Sequence, residues 1–389
     1  MKSISLFLTA ALFIHACKTN PKTTESAVPE KSLLLYVGTY TEKESHVDGK
    51  AEGIYIYRMN SGTGELTYVN TSPFTTNPSF IDISHDGRFL YAVNETGGDT
   101  NDGYVSAFRL INYEQPEFIN LVSSAGDYPC YIEAGKNGKF VLIANYGSGS
   151  IAYLPVREDG SLQKASTIHF HEGSGITSRQ ETAHAHCIRV SPDGKFAYSS
   201  DLGTDRIYIY RMTEARPELT GEYKSAAGAG PRHLAFHPRA NYVYSINELN
   251  GTIDCMLRDT LTGELAHFQT ISTVGDKPDY DAGSADIHIT PSGDFLYATN
   301  RGSFNNIASY RIDAGTGKLT LSGIQPVNGV APRNFAIDPT GKFVLIANQN
   351  SNQIITFKID TVSGKLIDTG IHTDVPTPVC IKFLPDHLN

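Results

Sequence analysis

The stretch Phe80-Ile81-Asp82-Ile83-Ser84-His85-Asp86-Gly87-Arg88-Phe89-Leu90-Tyr91-Ala92-Val93-Asn94 decides the fold. It reads as an apolar strand, an Asp-Gly turn, an opening aromatic and a second strand that closes on Asn. The same pattern returns at Tyr131 to Asn145, Cys187 to Asp201, His233 to Asn247, Asp286 to Asn300 and Asn334 to Asn348. A repeat of about fifty residues marks a radial or stacked architecture. A seventh second strand, Leu34-Leu35-Tyr36-Val37-Gly38-Thr39, has no first strand before it. Val379-Cys380-Ile381-Lys382-Phe383, at the far end of the chain, supplies one.

Each copy runs on into a third strand, such as Ile207-Tyr208-Ile209-Tyr210, and several pass through a Gly-x-Leu turn, such as Gly263-Glu264-Leu265, into a fourth. Four short strands per unit describe a β-propeller blade. The sequence therefore predicts an all-β, seven-bladed β-propeller over residues 32–389, with four antiparallel strands per blade. The N- and C-terminal strands share one blade and close the ring, which leaves no long open sheet edge. Composition agrees: Gly 35 and Pro 19 against Met 4 and Trp 0 suit a turn-rich chain. Hydrophobic residues at 40% and charged residues at 19% exclude disorder as the main state.

With 32 basic and 41 acidic residues the net charge is −9, which argues against nucleic-acid partners and anionic membrane surfaces. A small anionic ligand held by a few local arginines remains compatible with it. Residues 1–17 read as a lipoprotein-type signal segment: Lys2, an apolar run from Ile4 to Ile14, then Ala16-Cys17. In this reading Cys17 carries a lipid anchor, the only membrane contact, and residues 18–31 are a flexible tether rich in Thr, Pro and Ser. The expected location is outside the cytoplasm, periplasmic or anchored in the outer membrane. Cys130, Cys187 and Cys380 fall at similar strand positions as small buried fillers, and no C-x-x-C spacing suggests zinc or redox chemistry.

First strands of propeller blades line the central channel, so two repeat positions at one mouth carry the candidate site. Just past each second strand stand Tyr40, Glu95, Tyr146, Leu202, Glu248, Arg301 and Gln349. Just before each first strand stand Ser79, Cys130, His186, Arg232, Ala285, Arg333 and Val379. Ionisable residues that break the repeat concentrate in adjacent blades. His184 lies two residues before His186, so both imidazoles face one way in extended chain. Arg179-Gln180-Glu181 just upstream forms a lip over the same mouth. His169-x-His171 and His184-x-His186 supply four imidazoles, yet no H-E-x-x-H is present and nearby arginines repel a cation. No metal and no cofactor are expected. No G-x-S-x-G elbow, Walker loop or dinucleotide fingerprint appears either.

Arg179-Gln180-Glu181-Thr182-Ala183-His184-Ala185-His186, Asp201-Leu202-Gly203-Thr204-Asp205-Arg206, Gly230-Pro231-Arg232-His233 and Asn247-Glu248-Leu249-Asn250 resemble the lactonase family of seven-bladed propellers. The resemblance covers nearly all of residues 32–389. It implies a lactone hydrolase of the 6-phosphogluconolactonase kind acting on a small, anionic lactone. It implies catalytic roles for His184, Arg232, Glu248 and Arg301. Gln180, His186 and Arg333 are assigned to substrate binding. Arginine can stabilise the negative charge that grows on a lactone carbonyl under attack, and Glu248 and His184 can exchange protons with water and the leaving oxygen. The same groups suit a lactonizing cycloisomerase of the carboxymuconate kind, and a non-catalytic envelope binding platform is the third reading.

Overall fold

The structure is a computed structural model, and it describes residues 32–44, 47–98, 103–214, 216–276 and 282–388. The expected signal segment 1–17, with Cys17, and the expected tether 18–31 lie outside the described residues. Seven four-stranded antiparallel sheets form the ring, and no α-helix occurs among the described residues. Blade 1 pairs Pro378–Phe383 with Ser32–Thr39, so strands from both ends of the chain share one sheet, as the repeat predicts. Blades 2 to 7 begin at the innermost strands Ile81–Ile83, Pro129–Ala134, Ala185–Val190, Pro231–Phe236, Ser284–Ile289 and Pro332–Ile337.

Second strands such as Phe140–Asn145 and Phe343–Asn348 are buried along their whole length. They lie between neighbouring blades and bury both faces, which explains why they are apolar without alternation. Outer strands such as Leu366–Asp374 alternate towards solvent instead.

The two marks of the repeat, glycine turn and opening aromatic, meet in space. A Cβ on Gly64, Gly160, Gly263, Gly317 or Gly364 would fall within 2.9 Å of the ring of Phe343, Phe89, Phe196, Tyr242 or Phe295 of the preceding blade. Tyr198, Tyr244 and Tyr297 donate hydrogen bonds to the carbonyls of Gly263, Gly317 and Gly364 at 2.8–2.9 Å. Each glycine also holds a positive φ, +83° at Gly263. Gly263→Ala therefore combines a left-handed backbone penalty with a clash against Phe196. A loss of about 2 kcal/mol is expected in urea denaturation, with the unfolding slope unchanged.

Six of the seven innermost strands, all but that of blade 2, share one irregularity that builds the site. The register with the second strand slips at the second residue, leaving Cys130, His186, Arg232, Arg333 and Val379 unpaired; in blade 6 the slip spans Ala285 and Asp286. A bulge of this kind re-aims a side chain. Here it brings Cys130, His186 and Arg333 to one cavity.

Candidate active site

A cavity of about 580 Å³ opens at the mouth where these bulges lie. Its charged lining is Arg179, Arg301, Arg333, Glu95 and Glu248, with Tyr128, Cys130, Tyr146, His186, Gln349 and Asn350 around them. Beneath it the space narrows to about 10 Å³ between Phe80, Cys130, His186, Arg232, His233 and Val379. The cavity thus has a floor.

Glu248 is the centre of one charged cluster. Its Oε2 accepts from Arg232 Nε at 2.8 Å and pairs with Arg301 Nη2 at 3.0 Å, while Oε1 accepts from Arg179 Nη2 at 3.2 Å. Burial alone would raise its pKa; Arg301, Arg232, Arg179 and Arg333 outweigh burial and hold it at about 2. The second cluster surrounds Glu95, which occupies the same repeat position in blade 2. Tyr40 donates to Glu95 Oε2 at 2.8 Å, Ser79 donates to the same oxygen, and Arg333 Nη2 lies 3.8 Å from Oε1. Arg333 also rests over the Tyr40 ring, 5.6 Å from its centroid.

The arginines differ in what they can offer a ligand. Arg232 is 1% exposed, and it also donates to the Ala285 carbonyl and lies 3.3 Å from His233 Nε2. It sits below the floor as a buried counter-charge rather than in the cavity lining. Arg301 commits Nε to the Gly283 carbonyl at 2.9 Å and Nη2 to Glu248, and the residue lines the cavity. Burial, with the other three guanidiniums, lowers its pKa to about 10 against the pull of Glu248, so it stays charged at neutral pH. Arg333 lies 3.5 Å from Gln349 and 3.8 Å from Glu95. Arg179 reaches over the rim and donates to Tyr146 Oη at 3.1 Å.

His186 faces the cavity, as its bulge dictates. Burial, with Arg232, His233 and Arg333 nearby, pushes its pKa well below the usual imidazole range and keeps the ring neutral. His184 packs on the same tyrosine, Tyr146, that His186 meets edge-on at 5.6 Å, but it does not line the cavity. It stacks on Tyr146 at 4.4 Å, and its Nδ1 lies 3.0 Å from the Tyr146 carbonyl. Gln180 is also outside the lining: it is fully buried and donates to the Leu202 carbonyl at 2.8 Å and to Asp205 at 2.7 Å. Its role is to tie down the loop that carries Arg179. His169 and His171 contact Pro217, Asp201 and Tyr210, so the four imidazoles do not converge.

The repeat positions include Glu95, Tyr146 and Gln349, which line the cavity although the sequence assigned them no role, and sequence reasoning missed Tyr128. Glu95 had a usable signal, since it aligns with Glu248 in the repeat. Cys130 stands one position before Cys187 and Cys380 and lines the cavity, unlike those two. Burial pushes its thiol pKa well up, so it is an inert wall.

A family model described as Lactonase, 7-bladed beta-propeller matches residues 34–383. A protein of Bacillus subtilis named 6-phosphogluconolactonase is 33% identical over 90% of this chain and 97% of its own. Its namesake from Formosa agariphila is 36% identical over 85% of this chain and 94% of its own. The solved structure of a periplasmic gluconolactonase of Pseudomonas aeruginosa superposes with a TM-score of 0.85 at 32% identity, covering 91% of this chain and 99% of that one. With the repeat, the closed ring and the matched span in agreement, the chain belongs to the lactonase family of seven-bladed β-propellers.

Proposed function

We propose that the protein hydrolyses an anionic sugar lactone in the cavity at the bulged mouth of the channel. The observation that carries this reading is the placement of two donor-bearing arginines, Arg301 paired with Glu248 and Arg333 beside Glu95, around one open cavity. Three guanidiniums and two carboxylates line the cavity, and Arg232 lies just below, so positive charge is in excess and favours an anion. Relatives named for 6-phosphogluconolactone and for gluconolactone support the substrate class.

Water adds across the acyl C–O bond: its oxygen bonds to the carbonyl carbon, and the ring oxygen leaves with a proton. The guanidinium of Arg301 stabilises the carbonyl oxygen as it gains charge. Glu248, at a pKa of about 2, orients the attacking water as a hydrogen-bond acceptor without retaining its proton. The proton passes to the departing oxygen, with His184 on the Tyr146 side of the rim as the relay. Arg333 and Arg179 hold the anionic group of the substrate. The segment Met1 to Cys17 and the periplasmic relative support export, with lipid attachment at Cys17.

Proton release from gluconolactone and from 6-phosphogluconolactone, each against its spontaneous rate, tests the reading. Acceleration is expected on both, and more on the phosphorylated compound. Rates equal to background on both overturn it.

A further inference from the structure

Asp286 lies on the blade 6 bulge with a side chain only 3% exposed, yet five donors converge on its carboxylate. Oδ1 accepts from His233 Nδ1 at 2.7 Å and from the Ile287 amide at 3.0 Å. Oδ2 accepts from His288 Nε2 at 2.9 Å, Asn334 Nδ2 at 2.5 Å and the Phe335 amide at 3.1 Å. Asn334 in turn accepts from the Ile381 amide at 2.7 Å, so blades 5, 6, 7 and 1 meet at one acid. A carboxylate surrounded by donors stays ionised. It therefore holds the His233 proton on Nδ1 and leaves the Nε2 lone pair pointing away from itself.

That lone pair meets Arg232. His233 Nε2 lies 3.3 Å from Arg232 Nη1, and Arg232 Nε holds Glu248 at 2.8 Å. The imidazole cannot tumble, because Phe80, Tyr131 and His186 meet it edge-on at centroid distances of 5.9, 5.4 and 5.3 Å. Burial and Arg232 lower its pKa to about 4, so it accepts from the guanidinium rather than repelling it.

We propose that His233 and Asp286 are positioning residues for the catalytic floor: the carboxylate orients the imidazole, and the imidazole holds the Arg232 guanidinium square to Glu248. Neither touches the cavity. They act through Arg232, as outer partners of a metal ligand act through the ligand. The kinetic arm of the test rests on the lactonase reading; the titration arm does not.

Three variants separate the two hydrogen bonds of the ring. His233→Gln places an acceptor near the position of Nε2, His233→Asn keeps a donor near Nδ1, and His233→Phe keeps neither. The expected result is a kcat about ten- to a hundredfold lower for the Asn and Phe variants, with KM changed by less than about twofold. The Gln variant is expected to stay within about threefold of the parent. In parallel, the Glu248 carboxylate is followed by 13C NMR in Glu-labelled protein. The groups facing it are Arg179, Arg232, Arg301, Arg333 and Tyr146, and of these only Arg232 contacts residue 233. Its titration should rise in the Phe and Asn variants and stay in place in the Gln variant. Equal losses in Gln and Phe that follow their melting temperatures, or an unmoved Glu248 titration, overturn the proposal. A parent protein that opens no lactone overturns the lactonase reading instead, and the titration still decides this one.

Discussion

Glu248→Gln is expected to reduce lactone opening to within about tenfold of the spontaneous rate and to destabilise the fold by about 3 kcal/mol. Both effects have one cause. Glu248 is the shared counter-ion of Arg232, Arg301 and Arg179, and Arg232 has almost no access to water. Removing one member of a buried pair leaves the other charge uncompensated, a loss of about 3–5 kcal/mol. The pH dependence has a definite sign. A carboxylate shifted from 4.5 to about 2 on folding contributes stability that is complete above pH 4.5 and is lost as pH falls through 2. The parent should therefore lose stability on acidification over that window, whereas the Gln variant should show a flatter profile there. Urea midpoints at pH 2.5, 4 and 7, together with proton-release assays, check both parts. A Gln variant with parental activity would remove Glu248 from the chemistry.

Arg301→Ala is expected to produce the opposite combination, a large catalytic loss with a small structural one. Its side chain is 18% exposed and lines the cavity, and its one backbone contact is to the loop carbonyl of Gly283. Losing a donor aimed at a developing oxyanion typically lowers kcat by about a hundredfold or more. The stability change should stay near 1 kcal/mol, because Arg232 and Arg179 still neutralise Glu248. Arg232→Ala provides the contrast. It should weaken the fold strongly, since it empties a fully buried position below the floor. Steady-state kinetics and thermal melts of the two variants separate contact with substrate from support beneath it. If Arg232→Ala were the more damaging to kcat with an unchanged melt, the assignment of the oxyanion donor to Arg301 would be wrong.

The ring was readable in the sequence because each blade repeats a local rule. An Asp-Gly turn, an aromatic and a Gly-x-Leu turn recur, and the structure explains why: the glycine of one blade is packed under the aromatic of another. Equivalent repeat positions also located the mouth, since Glu248, Arg301, Arg333 and His186 meet in one cavity. Three features were not readable, each for a physical reason. Both imidazoles pack on Tyr146, yet only His186, on the bulge, lines the cavity, and alternation does not separate the two. The loop before His184 brings Arg179 to the mouth as the lip expected, but nothing in the repeat says that its neighbour Gln180 is tied down away from the cavity. Depth below the mouth is invisible to a pattern, which is why Arg232 and Arg333, both Pro-Arg at the same position, differ in access to ligand.

The strand Pro378–Phe383 completes blade 1 from the inside, pairing Leu35 with Phe383 and Gly38 with Cys380. A chain emerging from the ribosome carries every charged residue of the cavity long before this strand exists. Until then Ser32–Thr39 has an open edge and the ring has a gap beside Tyr40 and Ser79, which both donate to Glu95. The closing contacts span nearly the whole chain, which makes them slow to form. Activity should therefore arrive last in folding, as a single event, and a nascent chain is expected to stay catalytically silent until this strand is in place.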